Sequence, residues 1–143
     1  MTYLKASLPE HGHQHWAQLY GCARSLIISD AIRNHDGLVV VLTPDTPSAT
    51  TILNESQFFH DSARDFFSFP EWETLPYDIF SPHEDIISDR ISTLHALPTL
   101  QQGCLILPIN NCMQRIPPKE FINAVALQIN KGDTFSLEKI RSI

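Results

Sequence analysis

The run Leu38-Val39-Val40-Val41-Leu42 is the tightest constraint on the fold. It is apolar on both faces and rich in β-branched residues, so as a strand it has no wet side. Strands of that kind belong to parallel sheets with both faces covered, and parallel neighbours need crossovers long enough to hold a helix. The flanking sequence supplies them. From Trp16 to Asn34 the positions Leu19, Ala23, Leu26, Ile27 and Ala31 recur at helical spacing, and Gly37 stands where that helix stops. Thr46 and Pro47 read as N-cap and N1 of a second helix ending near His60. Phe66-Phe67-Ser68-Phe69 predicts a short strand, followed by a turn-rich connection from Pro70 to Ser81.

Ser81-Pro82-His83-Glu84 reads as a capping box, with Ser81 as N-cap, Pro82 at N1 and Glu84 at N3. Behind it Ile86, Ile87, Ile91, Leu94 and Leu97 line one helix face. Gly103 precedes a second buried strand, Cys104 to Leu107, and a short helix follows over about 110–114. Pro117-Pro118 sets up a turn or helix into Phe121. Alternating strands and helices predict an α/β fold in three layers, a parallel sheet flanked by helices with right-handed crossovers.

Beyond that the pattern changes. Ala124 to Asn130 alternates, with Val125, Leu127 and Ile129 inward, and Lys131-Gly132-Asp133 is a turn. Ser136 caps a last helix through Leu137, Ile140 and Ile143 whose apolar face has no partner. We therefore expect a lead-in over 1–15, an α/β domain over 16–123, and over 124–143 the truncated start of a small α+β second domain.

Composition narrows the function classes. Net charge is −6, and from Leu26 to Asp89 there are 12 acidic residues against 2 basic ones. Such a surface repels a nucleic-acid backbone. No apolar run approaches the length of a membrane span, no secretory h-region opens the chain, and Cys22, Cys104 and Cys112 form no CxxC pair, which together predict a cytoplasmic protein without disulfides. Cys104 reads as a small core residue. His11, His13 and His15 read as a solvated segment, since zinc needs three or four ligands with oriented support. Glu71, Glu73, Asp78, Glu84, Asp85 and Asp89 read as a solvated face, and no G-x-S-x-G elbow is present. We expect no catalytic and no metal-binding residue. The large side chains Trp72, Pro76, Tyr77 and Phe80 on one connection suit a binding surface or a seal on the sheet edge equally well.

One stretch can be laid over a phosphate loop. In Gln18-Leu19-Tyr20-Gly21-Cys22-Ala23-Arg24-Ser25, Gln18 and Ala23 replace the glycines of G-x-x-x-x-G-K-[ST], Arg24 replaces the lysine, and Ser25 alone obeys. A Cβ at Ala23 crowds the approach a phosphate needs, and no strand-like run precedes the loop. No Asp-Glu pair ends a buried strand to manage magnesium and water.

The segment Trp72-Glu73-Thr74-Leu75-Pro76-Tyr77-Asp78, with Phe80-Ser81-Pro82-His83-Glu84-Asp85-Ile86-Ile87-Ser88, closely resembles the N-terminal region of bacterial transcription-repair coupling factors. Arg90-Ile91-Ser92-Thr93-Leu94, Leu97-Pro98-Thr99, Met113-Gln114-Arg115 and Pro117 extend the likeness. The resemblance implies a module similar to the first domain of the damage-recognition protein UvrB. It implies that Gly21, Ala23, Arg24 and Ser25 are a vestigial phosphate loop, with Arg24 and Ser25 at the Lys and Thr positions. It implies no cofactor for this stretch, ATP and magnesium belonging to the parent's motor domains. The implied partners are the remainder of the parent chain and UvrA, mainly through the second domain, with RNA polymerase and DNA reached through other domains. The DNA-clamping hairpin of UvrB has no room between Tyr77 and Ser81. The alternative is a nucleotide-binding fragment of helicase type in which Arg24 and Ser25 still grip phosphate.

Overall fold

A computed structural model describes Ala6, residues 8–60, 66–75 and 77–126, and Thr134. In chain order the elements are α1 (Ala23–Arg33), β1 (Leu38–Thr43), α2 (Thr46–Phe59), β2 (Phe66–Ser68), α3 (Glu84–Ala96), β3 (Gly103–Pro108) and α4 (Lys119–Val125). Short 3-10 helices follow α3 (Leu97–Thr99) and β3 (Ile109–Met113).

The three strands form a parallel sheet in the order β1-β3-β2. The expected α/β fold is what the chain adopts, with helices on both sheet faces. Alternation along each strand sends residues to opposite layers. Val39, Val41, Cys104, Ile106 and Phe66 pack with Ile28 and Ile32 of α1 and with Ala49, Ile52 and Leu53 of α2. On the other face Leu38, Leu105, Leu107, Phe67 and Phe69 pack with Leu94 of α3 and Leu97 just beyond it. β3 is buried along its whole length because it lies between the other two strands. Gly103 opens it at φ +132°, a backbone conformation side chains resist.

Several local expectations need correction. The first helix starts at Ala23 rather than Trp16, because Gln18 (φ +59°) and Gly21 (φ +56°) take left-handed backbone that no α-helix continues through. β1 is not covered on both faces. Val40 and Leu42 are 52% and 51% exposed, since β1 is an edge among the described strands and α3 does not reach over it. The third helix begins at Glu84, so Ser81 caps nothing. His83 is the N-cap, its Nδ1 accepting from the Asp85 amide and its carbonyl accepting the amides of Ile86 and Ile87. Ala124 and Val125 belong to α4, not to a strand. The expected strand over 127–130, the turn and the last helix lie outside the described residues.

The cap of α2 also moves by one residue. Asp45 takes the role, its Oδ1 accepting from the Ser48 amide at 2.8 Å, while the Thr46 hydroxyl donates to Glu71 Oε2 at 2.6 Å. Hydrogen bonds from the Ser48 side chain and amide hold the Asp45 carboxyl below its ordinary value. A carboxylate held low stabilises the fold above the unfolded range, about pH 4. That contribution is lost as pH falls through the folded value. Asp45→Asn keeps a cap oxygen that does not ionise, and is expected to flatten the acid limb of stability in urea titrations compared at about pH 5 and about pH 3. No helix among the described residues is long and apolar enough to cross a membrane.

Candidate functional site

Of the four residues expected to form a vestigial phosphate loop, Gly21 and Arg24 are exposed, Ala23 is half-buried and Ser25 is buried. Gly21 is an exposed turn residue, and a Cβ on it would meet nothing within 4 Å. The Ala23 amide, at the first position of α1, donates to the Tyr20 carbonyl at 3.2 Å. Arg24 is exposed. Ser25 is fully buried, and its hydroxyl donates to Glu55 Oε2 on α2 at 2.6 Å. It opens a polar seam between the two helices. The Ser29 hydroxyl donates to the Ser56 carbonyl at 2.9 Å, and the Ser56 hydroxyl donates to the Ser25 carbonyl at 3.5 Å. Further along, the Arg33 guanidinium donates to the Phe59 carbonyl. Small serines let the two helices approach closely while their hydroxyls find partners, as buried polar groups must.

The histidines and thiols gather no site. His11, His13 and His15 are all exposed. Among the described residues no group of three or more His, Cys, Asp or Glu side chains is placed to hold a metal ion. Cys22 and Cys112 are exposed free thiols. Burial pushes the Cys104 thiol up to about 12, which keeps it protonated and inert in the core. Among the expected acidic face, Glu71 accepts from Thr46, while Glu73, Asp78, Glu84, Asp85 and Asp89 are exposed.

The most organised polar arrangement centres on Arg90, which sequence reasoning passed over. It is 3% exposed although it is an arginine. Its guanidinium carbon lies 4.0 Å from the centroid of Phe69 and 4.2 Å from that of Trp72. Nη1 donates to the Pro70 carbonyl at 2.6 Å and Nη2 to Gln114 Oε1 at 3.0 Å. Burial pulls the guanidinium below its ordinary value, yet arginine stays charged in proteins. The positive charge therefore rests on two aromatic faces and two neutral oxygens, all of them favourable partners for a desolvated cation.

Neighbouring groups finish the clamp. The Thr93 hydroxyl donates to the Ser68 carbonyl at 2.8 Å, and Asn111 Nδ2 donates to the Phe69 carbonyl at 2.6 Å. Three successive carbonyls at the end of β2, those of Ser68, Phe69 and Pro70, are thus each held by a side chain from α3 or from the turn after β3. A sequence signal for this existed. Arg90 sits four residues from both Ile86 and Leu94, a cation within the apolar stripe of α3.

From this clamp the connection leads outward. Trp72 packs on Arg90, whereas Leu75, Tyr77, Ile79 and Phe80 are 73–106% exposed. Pro76 lies outside the described residues.

No protein-family model matches the chain. Individual relatives do. The chain is 42% identical over 125 residues to the transcription-repair-coupling factor of Escherichia coli K12, covering 87% of this chain and 11% of that protein. It is 43% identical over 122 residues to the factor of Haemophilus influenzae, covering 83% and 10%. For Rickettsia bellii the figures are 30% over 109 residues, covering 75% and 10%. Trp72, Arg90, Thr93 and Gln114, which belong to three of the motif runs that carry the resemblance, meet in the clamp. The chain spans about a tenth of the length of these relatives, and over that span it belongs to the transcription-repair-coupling factor family.

Proposed function

We propose that this chain is a non-catalytic interaction module of a transcription-repair coupling factor. In this reading the parent is an ATP-dependent DNA translocase that dislodges RNA polymerase stalled at lesions and recruits UvrA. The module packs on the rest of the parent and presents the domain that meets UvrA, while DNA, polymerase, ATP and magnesium are engaged elsewhere in the parent. One observation carries the non-catalytic part. The Ser25 hydroxyl, which a working phosphate loop aims at magnesium, is buried and committed to Glu55. Freeing it costs the α1–α2 seam one of its hydrogen bonds. The acidic middle of the chain supports the same reading, because neither nucleotide phosphate nor DNA is attracted to it.

The test has two arms. Calorimetric titration of the chain with millimolar ATP and magnesium is expected to give no heat and no rise in melting temperature. Saturable binding with a raised melting temperature, as mass action requires of a ligand, lost in Arg24→Ala, would replace this reading with a nucleotide-binding module of helicase type. In the full-length parent, deletion of residues 1–120 is expected to impair UvrA recruitment or its regulation. Recruitment and regulation both left unchanged would end the interaction reading.

A further inference from the structure

We propose that His83 is a proton-operated cap on α3. It holds the first turn of the helix while its ring is neutral and lets that turn open when the ring takes up a proton.

One nitrogen stands between two partners that need it in opposite states. His83 Nδ1 accepts from the Asp85 amide, 3.3 Å away, and lies 3.4 Å from Asp85 Oδ2. The first contact needs a lone pair on Nδ1, so the neutral ring carries its hydrogen on Nε2. The second is attractive only once Nδ1 itself carries a proton, because a lone pair and a carboxylate oxygen repel each other. Protonation by water therefore breaks the bond from the Asp85 amide and makes one from Nδ1–H to Oδ2.

The two states do not hold the helix equally. The cap satisfies an amide of the first turn that has no partner within the helix. Beside it the His83 carbonyl accepts the Ile86 amide at 3.1 Å and the Ile87 amide at 3.2 Å, so the backbone of His83 must stay in register for all three. The ion pair stands in water, its side chains 68% and 89% exposed, where such pairs contribute little. A cation at this place also meets the positive end of the helix dipole. The protonated state is the weaker lock.

The choice of residue makes the cap a switch. Serine and asparagine, the common caps, do not titrate, whereas histidine changes charge between about pH 5 and pH 8. Among the described residues the ring makes no hydrogen bond or ion pair to another element, and the Asp85 carboxyl is the one carboxylate within 4 Å of its nitrogens. Glu84 adjoins it in the chain, and no lysine or arginine occurs between Glu71 and Asp89. Further along, α3 is held independently by Arg90 and Thr93, so the opening stops short of the clamp.

Hydrogen exchange of the full-length parent, read residue by residue and divided by the intrinsic rate, tests this at about pH 7.5 and about pH 5.5. The amides of Asp85, Ile86 and Ile87 are expected to lose about fivefold in protection at the lower pH, the size of a lost cap. The amides of Thr93 and Leu94 are expected to keep theirs. His83→Asn, whose side-chain oxygen caps without titrating, is expected to keep the first turn protected at both pH values. Equal protection at the two overturns the proposal, as does greater protection at the lower one, which makes the ion pair the stronger lock. A loss shared by Thr93 and Leu94 is a general loosening in acid and overturns it too. So does a loss that survives in His83→Asn, since another group then takes the proton.

Discussion

Replacing Arg90 by methionine is expected to cost about 3–4 kcal/mol of folding stability, read as a fall in the urea midpoint at unchanged slope. Methionine has a comparable length and fills much of the same space, so cavity formation is a minor part of the loss. The larger part is polar. The Pro70 carbonyl and the Gln114 side chain lose a charged donor, and Phe69 and Trp72 lose the cation between them. Hydrogen bonds from a charged donor contribute about 1.5–3 kcal/mol, and a desolvated cation–π contact about 2 kcal/mol, with incomplete additivity. Arg90→Lys is expected to recover little. An ammonium is a point charge without the planar fork that reaches two acceptors while stacking on two rings. Trp72 fluorescence should report the opening of the clamp in both variants. A folding stability within about 0.5 kcal/mol of the unsubstituted chain, the range of ordinary surface changes, would show that the sandwich contributes nothing.

The second large effect is expected at Ile106. It is 1% exposed, on the central strand, in the core cluster that α1 and α2 share with the sheet. Ile106→Ala is expected to cost about 3–4 kcal/mol, the transfer loss of the removed carbons plus the cavity they leave. Val40→Ala, on the edge strand and half exposed, is expected to cost under about 1 kcal/mol in the isolated chain. The pair separates two kinds of apolar strand residue that look alike in sequence. Equal costs would mean that β1 is as enclosed as β3.

That comparison also shows what can be read from residues alone. The two apolar runs name two parallel strands because their chemistry is regular, and the crossovers between them are long enough for helices. The α3 stripe shows for the same reason. Periodicity does not reveal what covers a face, so Val40 and Leu42 read as enclosed although α3 leaves them half open. Nor does it register backbone handedness. Leu19 keeps helical spacing through a segment where Gln18 and Gly21 have already left the helical region. Caps slip by one or two residues because Thr46 and Asp45, or Ser81 and His83, are all able acceptors, and remote partners decide between them. Glu71 draws the Thr46 hydroxyl away from the cap.

The site was legible to a different degree. Gly21, Ala23, Arg24 and Ser25 were picked out by their order in the chain, and that order says nothing of Glu55, thirty residues on, which takes the Ser25 hydroxyl. Trp72 was visible as one of the large side chains on its connection, and Gln114 only as part of a motif run. Their shared contact with Arg90 is a tertiary fact joining residues forty-two positions apart.

The strand order has a consequence for synthesis. β1 and β2 do not touch; each pairs with β3, which is the last of the three to be made. A growing chain thus carries Leu38–Thr43 and Phe66–Ser68 as sticky, partnerless ribbons until residue 108 has left the ribosome. Closing the sheet then requires contacts across some sixty-five residues at once, a slow and non-local event. Through that interval the nascent segment is a natural client for chaperones, and translation that stalls before Gly103 releases a polypeptide bound for aggregation.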